Sequence, residues 1–456
     1  MLKETIVAIS SSIGEGAIGI IRMSGPDALN TLNDIFIKKS KSTEYDNRKM
    51  YYGHIIKNDV VLDEVMAVYM RAPNTYTKED IVEIFCHGGI IAIKRVLDFI
   101  LEQGVRMAEP GEFTKLAFLN GRLDLSQAEA VMDLVSAKTD KGFDVAFNQL
   151  KGNLSLQVTE IRNILLKVVG HLEVCIDYPE EDIESLTYNE IVSAFTDVKN
   201  RISNLLKHSS NGRIIREGIK IAIIGKPNVG KSSLLNALLK EARAIVTDIA
   251  GTTRDVIEEH LNIQGIPIRI IDTAGIRETK DQIEKIGVER SKIIFNEADM
   301  VLFVLNASEA LSEEDRMLMD LVSNKKSIII LNKMDLSTKI ELDHVYNSFV
   351  DHEIIKTSLL NDEGIQAVEN AIVNRVYEGD IAQDSEVLLS NSRHIQGLNE
   401  ALLSIDAALS AAEDKVAYDF IEVDTLDCLE ALGKITGETV ENDIVKEIFG
   451  NFCLGK

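Results

Sequence analysis

An eight-residue segment beginning at Gly225 has the composition and spacing of a phosphate-binding loop. It reads GKPNVGKS, follows the apolar run 219–224 and precedes the helix-forming stretch 233–240. Between a strand and a helix, the backbone amides of such a loop surround phosphate oxygens at the positive end of the helix. The pattern predicts that Lys231 contacts the outer phosphates and that the Ser232 hydroxyl binds Mg²⁺. Taken alone, the segment leaves open an ordinary glycine turn.

Three further motifs follow in the order that a guanine-nucleotide site requires. DTAG at 272–275, NKMD at 332–335 and the pair at 357–358 each come directly after a short apolar, strand-like run. The carboxylate of Asp335 can accept two hydrogen bonds from the N1 and N2 donors of guanine, a donor pair that adenine lacks. The glycine of DTAG can approach a γ-phosphate closely because it has no Cβ. The four motifs together predict an α/β GTPase domain.

The segments around DTAG indicate how hydrolysis differs from that of Ras-like proteins. GTTRD lies at 251–255, and Thr253 is predicted to be the second hydroxyl ligand of magnesium, on a loop that orders around the γ-phosphate. Ile276 follows DTAG, where Ras-like proteins carry a water-orienting Gln. A monovalent cation could replace the missing arginine finger, held by Asn228 and by backbone carbonyls near 247–252. A plain turn-forming role for Asn228 is the alternative.

Composition limits the remaining possibilities. A chain of 456 residues has room for roughly two to four domains. The N-terminus lacks the pattern of a signal peptide, no apolar run is long enough to span a membrane, and the four cysteines have no zinc spacing. These features predict a cytoplasmic protein with reduced thiols and no membrane partner. The net charge of −24 means that contact with nucleic acid requires a local patch or the surface of a partner. The basic runs at 38–41 and 48–49 are candidates for such a patch, and solvated loops are the alternative.

Helical periodicity flanks the GTPase motifs on both sides. Apolar residues recur at helical spacing between about 122 and 211, and again from Ile395 onward. One helical domain interrupted by an inserted α/β domain explains this pattern most simply, and two separate helical domains are the alternative. The first 120 residues mix strand-like runs with one helical pattern and predict an α+β module. Within it, His87 precedes two glycines, and its possible roles are a metal or substrate ligand, a catalytic base and a structural histidine of a tight turn.

Taken together, these motifs resemble the MnmE (TrmE) family of bacterial GTPases that modify the wobble uridine of tRNA, and the resemblance covers the whole chain. The segments that carry it are GAIGIIRMSGP, NTYTKEDIVEIFCHGG, PGEFTKLAFLNGRLDLSQAEAVMDLVSAKT, GKPNVGKSSLLNAL, TDIAGTTRD, DTAGIRET, NKMD and the terminal CLGK. The resemblance implies a multidomain protein with an α+β N-terminal folate-binding-like dimerisation domain, an all-α helical domain and an inserted α/β P-loop GTPase domain. The corresponding boundaries are 1–120 for the first, 121–213 and 379–456 for the two helical parts, and 214–378 for the GTPase domain.

The resemblance also implies roles for individual residues of the GTPase site. Potassium is expected on Asn228, Thr247, the Ile249 carbonyl and Thr252, and magnesium on Ser232 and Thr253. The water-positioning acid of the family falls at Glu284, for which a plain surface glutamate is the alternative. The full GTP-binding set is Asn228, Val229, Gly230, Lys231, Ser232, Ser233, Thr247, Asp248, Ile249, Ala250, Gly251, Thr252, Thr253, Asp272, Thr273, Ala274, Gly275, Asn332, Lys333, Asp335 and Ser358. Leu359 departs from the usual Ser-Ala of the last motif, which puts the packing beside the base in doubt.

For the N-terminal domain, the resemblance implies binding of 5-formyltetrahydrofolate or a related one-carbon folate. The matching positions are Arg22, Glu83, Arg122 and the terminal Lys456. Arg122 departs conservatively from the lysine of some family members. Cys453, in the CxGK ending, is a candidate functional thiol, although no histidine lies near it in sequence to form the thiolate.

Partners follow from the same resemblance. The chain is expected to form a homodimer and a heterotetramer with the FAD-dependent protein MnmG. It is also expected to bind GTP and a tRNA substrate. The expected reaction builds a carboxymethylaminomethyl or aminomethyl group at C5 of the wobble uridine of certain tRNAs. Two other classes are considered, an Era-like or Der-like ribosome-assembly GTPase and a dynamin-like or septin-like scaffold. Neither carries the folate-type module together with a CxGK ending.

Overall fold

A computed structural model describes most of the chain and divides it into two units. The first unit comprises Met1–Val135, Gln149–Val198 and Leu403–Lys456, and the second comprises Ser136–Asn148 and Lys199–Leu402. The described residues are 4–39, 44–177, 187–207, 209–241, 259–271, 295, 297–377, 388–440 and 442–456.

The strands and helices alternate in blocks that differ between the units. The strands are β1 (Ile6–Ile9), β2 (Ile18–Ser24), β3 (Phe36–Lys38), β4 (Met50–Lys57), β5 (Val60–Met70), β6 (Ile81–His87), β7 (Arg106–Met107), β8 (Ile219–Ile224), β9 (Glu259–Ile263), β10 (Ile266–Ile271), β11 (Met300–Asn306), β12 (Ser327–Asn332) and β13 (Glu353–Lys356). The helices are α1 (Ala28–Ile35), α2 (Ile90–Glu102), α3 (Glu112–Leu119), α4 (Leu125–Ser136), α5 (Asp140–Leu150), α6 (Asn153–Asp177), α7 (Tyr188–Leu206), α8 (Ser209–Glu217), α9 (Lys231–Glu241), α10 (Glu313–Val322), α11 (Leu342–Ser348), α12 (Ile365–Tyr377), α13 (Ser392–Glu413), α14 (Tyr418–Thr436) and α15 (Asn442–Gly450).

The N-terminal part of the first unit is a mixed sheet in the order β3-β4-β5-β6-β2-β1-β7. Its neighbours pair antiparallel except β1 and β7, which are parallel. Alternate residues of β2 and β6, such as Ile21, Met23 and Ile84, are fully buried in one core with the apolar faces of α1 and α2. The opposite face of the sheet carries half-exposed side chains. This is the α+β module that the sequence predicts.

The helical part of the first unit brings together segments that are far apart in sequence. Helix α6 packs against α14, and Arg162 joins them because its Nη1 donates to the Leu429 carbonyl at 2.7 Å. The apolar stripe of α6 that the periodicity indicates is buried, for example at Ile161 and Leu165. Each such side chain contributes about 1.5–3 kcal/mol on burial. Helices on the two sides of the GTPase motifs therefore share one packed interface.

The second unit contains a mainly parallel sheet in the order β13-β12-β11-β8-β10-β9, in which only β9 runs antiparallel to its neighbour. Every residue of β11 and β12 is buried, as expected for strands covered by helices on both faces. The predicted fold class is confirmed, and the four numerical domain boundaries remain a prediction. Among the described helices, none is long and apolar enough to cross a membrane.

Candidate functional site

The GKPNVGKS segment forms a turn between the end of β8 and the start of α9. Gly225 and Gly230 both have positive φ, and a Cβ at Gly230 would clash with the side-chain amide of Asn332. Lys231 begins α9, and its Nζ donates to the carbonyl oxygens of Gly225 at 2.7 Å and Lys226 at 2.8 Å. Burial lowers the pKa of the Lys231 ammonium. The loop is therefore folded back over its own lysine in the form of a phosphate cradle.

Asn332 connects this loop to the segment that follows β13. Its side chain is almost fully buried, and its Nδ2 donates to the Val229 carbonyl at 2.8 Å. Its Oδ1 accepts from the Thr357 hydroxyl and from the Leu359 backbone N–H, each at 3.3 Å. One side chain thus joins the phosphate loop to the fourth motif. Because β8, β12 and β13 run parallel, all three loops leave the same edge of the sheet.

Asp335 follows β12 and lies at the same edge of the sheet. The Ser358 hydroxyl donates to its Oδ1 at 2.7 Å, and the Met334 N–H donates to the Thr357 carbonyl at 3.1 Å. Lys333 adopts a left-handed backbone with φ 65°, which turns the chain sharply after β12. The carboxylate is thereby fixed where the sequence predicts a guanine-reading group.

Asn228 lies in the middle of the phosphate loop and also has a left-handed backbone, with φ 61°. Asparagine tolerates this conformation better than most residues, so backbone geometry gives one reason for its presence. The other predicted nucleotide residues of this loop, Val229, Ser232 and Ser233, lie in the same turn and in the first turn of α9. Ser232 is therefore near the phosphate cradle, as a magnesium ligand requires.

The remaining members of the predicted set lie outside the described residues. They are Thr247, Asp248, Ile249, Ala250, Gly251, Thr252, Thr253, Asp272, Thr273, Ala274, Gly275 and Glu284. Their assignment as GTP, potassium, magnesium and water ligands therefore stays a prediction.

A charged network beside the phosphate loop was not predicted from the sequence. The Nζ of Lys226 lies 3.0 Å from Asp315 Oδ2 and 3.1 Å from Glu309 Oε2. Asp315 is almost fully buried and forms a capping box with Ser312 at the start of α10. Desolvation by burial acts to raise the pKa of the Asp315 carboxyl, but the hydrogen bonds from Ser312 and the Lys226 ammonium together outweigh it and hold this pKa below its usual value. The pattern Ser-x-x-Asp was the only local signal, and it predicts the cap but not the lysine.

Two of the predicted folate residues are adjacent across strands of the N-terminal sheet. Arg22 on β2 faces Glu83 on β6, and the two side chains form an ion pair at 2.7 Å. Arg122 and Arg22 both approach the ring of Tyr76, with guanidinium carbons 4.6 Å and 5.7 Å from its centroid. The Tyr76 hydroxyl lies within hydrogen-bond distance of Thr114. The group combines cations, a carboxylate and an aromatic face, which suits a ligand that carries both an aromatic ring and carboxylates.

The C-terminal Cys-Leu-Gly-Lys segment lies against the N-terminal module. The Ser10 hydroxyl donates to the Gly455 carbonyl at 3.1 Å, and the Gly111 N–H donates to the Cys453 carbonyl at 3.4 Å. Gly455 has positive φ, and a Cβ there would clash with the Ile9 carbonyl. Ile9 pairs with Ile21, the neighbour of Arg22, so the chain end that carries Lys456 lies against the end of β1, the strand that pairs with β2.

The four cysteines differ in access. Cys453 is exposed, whereas Cys86 and Cys428 are buried, and burial raises the pKa of each of these two thiols to about 12. Cys453 is therefore the thiol best placed to react.

The side chain of His87 is largely exposed, and its ring contacts a buried carboxylate. Its side chain is 66% exposed, and its Nδ1 lies 2.5 Å from Oδ1 of the buried Asp63. The Asp63 hydrogen bond raises the pKa of the imidazole.

Comparison with known proteins gives matches along almost the whole chain. Residues 125–453 match the family model described as "MnmE helical domain", and residues 5–122 match "GTP-binding protein TrmE N-terminus". The chain is 51% identical over 459 residues to "tRNA modification GTPase MnmE" of Alkaliphilus oremlandii, and 50% identical over 457 residues to the protein of that name from Clostridioides difficile. Each alignment covers 100% of both chains. A solved structure, Era in complex with MgGDPNP and nucleotides of 16S ribosomal RNA, is 29% identical and covers 41% of this chain and 66% of that chain. Its TM-score is 0.27, too low to carry an argument.

Proposed function

The chain belongs to the MnmE family of tRNA modification GTPases, and from this premise we propose that it is a potassium-activated GTPase acting with the FAD-dependent partner MnmG. The pair would form the carboxymethylaminomethyl or aminomethyl group at C5 of the wobble uridine of certain tRNAs. The observation that carries the nucleotide part is the Asn332 side chain, which joins the phosphate loop to the base-reading segment. The family models over 5–122 and 125–453 favour this function over an Era-like or Der-like role.

Each described residue of the nucleotide site has a distinct task in this proposal. The Lys231 ammonium now donates to the carbonyl oxygens of Gly225 and Lys226. In the proposal, a phosphate oxygen of the nucleotide replaces one of these two acceptors. Ser232 holds magnesium, which supplies charge neutralisation at the phosphates. Asp335, oriented by Ser358, accepts the two guanine N–H donors. These roles require binding and orientation but no covalent chemistry from the protein, as phosphoryl transfer in general does.

Potassium would be held by Asn228 together with Thr247, the Ile249 carbonyl and Thr252. The position of Asn228 in the middle of the phosphate loop supports this proposal. In the proposal, potassium supplies the positive charge of an arginine finger, and pairing of GTPase domains within a homodimer completes the cage. Glu284 positions the attacking water. In the proposal, the conformational change of the GTPase domain is transmitted to the helical domain through the two chain connections near residues 213 and 378.

The N-terminal module would bind 5-formyltetrahydrofolate or a related one-carbon folate. The ion pair of Arg22 and Glu83 and the position of Arg122 over Tyr76 support this, because a folate presents carboxylates to cations and a flat heterocycle to an aromatic ring. Lys456 would add a further cation from the docked C-terminal segment. The exposed Cys453 is the candidate thiol of the same region. A cytoplasmic location completes the proposal.

Reconstitution tests the proposal as a whole. The chain is combined with MnmG, an unmodified tRNA, GTP, potassium and a one-carbon folate, and the tRNA is digested to nucleosides for mass spectrometry. The expected result is a C5-substituted uridine that is absent when the chain, MnmG or the folate is left out. Formation of the product without this chain would exclude the proposed function.

A further inference from the structure

The edge of the N-terminal sheet combines aromatic and basic side chains on one face. Tyr52 on β4 is 43% exposed, and the Nζ of Lys39, just after β3, donates to its hydroxyl at 3.3 Å. The same ammonium lies 4.6 Å from the centre of the Tyr52 ring. The ring of His54, two residues along β4, lies 6.2 Å from that of Tyr52. The Tyr52 and His54 rings therefore form a short row on the outer face of the sheet.

Gly53 allows this arrangement. It pairs with Lys38 across the edge strand, and a Cβ at Gly53 would clash with the Ile37 carbonyl and with the Phe36 ring. The absence of a side chain lets β3 approach β4 closely. Because side chains alternate along a strand, Tyr52 and His54 then project together on the opposite face. The row is therefore built into the strand pairing.

The charge of this segment is opposite to that of the chain. Residues 36–57 contain six Lys and Arg and two Asp and Glu, a formal charge of 6 − 2 = +4, whereas the whole chain carries −24. Lys49 and Lys57 are neutralised by ion pairs with Asp46 and Glu102. Within the described ranges, Lys39 forms no ion pair with a carboxylate. Its charge is thus available to a partner.

We propose that Lys39, Tyr52 and His54, here termed the β4 face, contact unpaired nucleotides of the tRNA substrate. Bases stack on the two rings, as they do on the exposed aromatic residues of other RNA-binding sheets, and a phosphate lies against Lys39. The inference rests on the proposed function, because it takes RNA as the substrate class.

A carboxylate beside the β4 face determines on which side the RNA backbone lies. Glu64 on β5 lies 3.7 Å from the His54 imidazole and repels phosphate on that side. The RNA backbone is therefore held on the β3 side of the face, with its bases over β4. Paired nucleotides cannot present their rings in this way, so the face selects a loop rather than a helix.

The test measures binding of the full-length chain to a fluorescein-labelled anticodon stem–loop that contains an unmodified wobble uridine, by fluorescence anisotropy over a range of salt concentrations. Tyr52→Ala is expected to raise Kd roughly 10-fold or more, the range for one lost base–aromatic stack. Tyr52→Phe keeps the ring and should retain near-parental affinity. Lys39→Gln should reduce the slope of log K against log salt by about 0.7, the value for one phosphate contact on a single strand.

Matched controls come from elsewhere in the chain. Tyr346→Ala removes a tyrosine of similar exposure, 41%, and Lys434→Gln removes a surface lysine that pairs with Glu430. Both should bind the stem–loop like the parent. Circular dichroism and the thermal midpoint of each variant verify that the fold is retained.

Four results would overturn the inference. The first is parental affinity and salt slope in both Tyr52→Ala and Lys39→Gln. The second is a change in oligomeric mass of Tyr52→Ala by light scattering, which would make the face a protein interface. The third is binding of phosphatidylserine vesicles in competition with the RNA. Failure of the parent to bind the stem–loop also overturns it, and the nucleoside assay reports separately on the proposed function.

Discussion

Replacement of Asn332 by alanine should uncouple the phosphate loop from the base-reading segment. The amide makes one hydrogen bond of 2.8 Å to the Val229 carbonyl and accepts two of 3.3 Å from Thr357 and Leu359. Asn332→Ala leaves the Val229 carbonyl and the Leu359 N–H without this partner in a buried site. A buried polar group that loses its partner costs about 1–3 kcal/mol. The two together should cost roughly 2–4 kcal/mol, because the longer bond contributes less.

Two measurements on Asn332→Ala separate this account from a local packing defect. The dissociation constant for a fluorescent GDP analogue should rise about 10-fold or more, and the thermal midpoint should fall. Asn370→Ala is the control, since Asn370 only accepts an exposed hydrogen bond from Gln264 at 2.7 Å and should change stability by under about 0.5 kcal/mol. A variant at Asn332 that binds GDP as tightly as the parent would refute the reasoning.

Four further expectations concern the predicted site and the N-terminal module. Asp335→Asn should shift preference from guanine toward xanthine, because the acceptor pair becomes a donor and an acceptor; competition between GTP and xanthosine triphosphate measures the shift. Asn228→Gly keeps the left-handed backbone without strain and should abolish potassium stimulation of hydrolysis while GDP affinity stays near parental. Glu284→Ala should slow single-turnover hydrolysis at saturating potassium by roughly 10²-fold, the range for a positioning or general-base group, whereas a plain surface glutamate would leave the rate unchanged. By NMR, the pKa of His87 should lie above its usual value and fall in Asp63→Asn; since the folded value is raised, the pair stabilises the fold at low pH and this stabilisation is lost as pH rises through the folded pKa.

The sequence predicts much of the nucleotide site because its motifs are local. Each motif follows a short apolar run, and a run such as Ser327–Leu331 bounded by polar residues is typical of a buried strand in an α/β context. Parallel strands place their carboxyl ends at one edge, so the sequence order alone brings Lys231, Asn332 and Asp335 together. The hydrogen bond from Ser358 to Asp335 follows from the same geometry.

Contacts between distant segments could not be predicted in this way. The ion pair of Lys226 with Asp315 joins residues 89 positions apart, and neither has a spacing that marks the other. The docking of Gly455 against Ser10 spans almost the whole chain. The Asp63 carboxylate accepts a hydrogen bond from the backbone N–H of His87 and lies within hydrogen-bond distance of its ring Nδ1. A glycine-rich turn does not indicate this contact. Such pairings depend on tertiary packing rather than on local propensity.

If the GTP site drives the modification of tRNA, formation of the modified nucleoside must depend on which nucleotide is present. The chain, MnmG, the folate and unmodified tRNA are incubated with GTP, with a non-hydrolysable GTP analogue, or without nucleotide. Nucleoside analysis by mass spectrometry should find the C5-substituted uridine with GTP and only background amounts in the other two reactions. Equal product in all three would contradict this dependence.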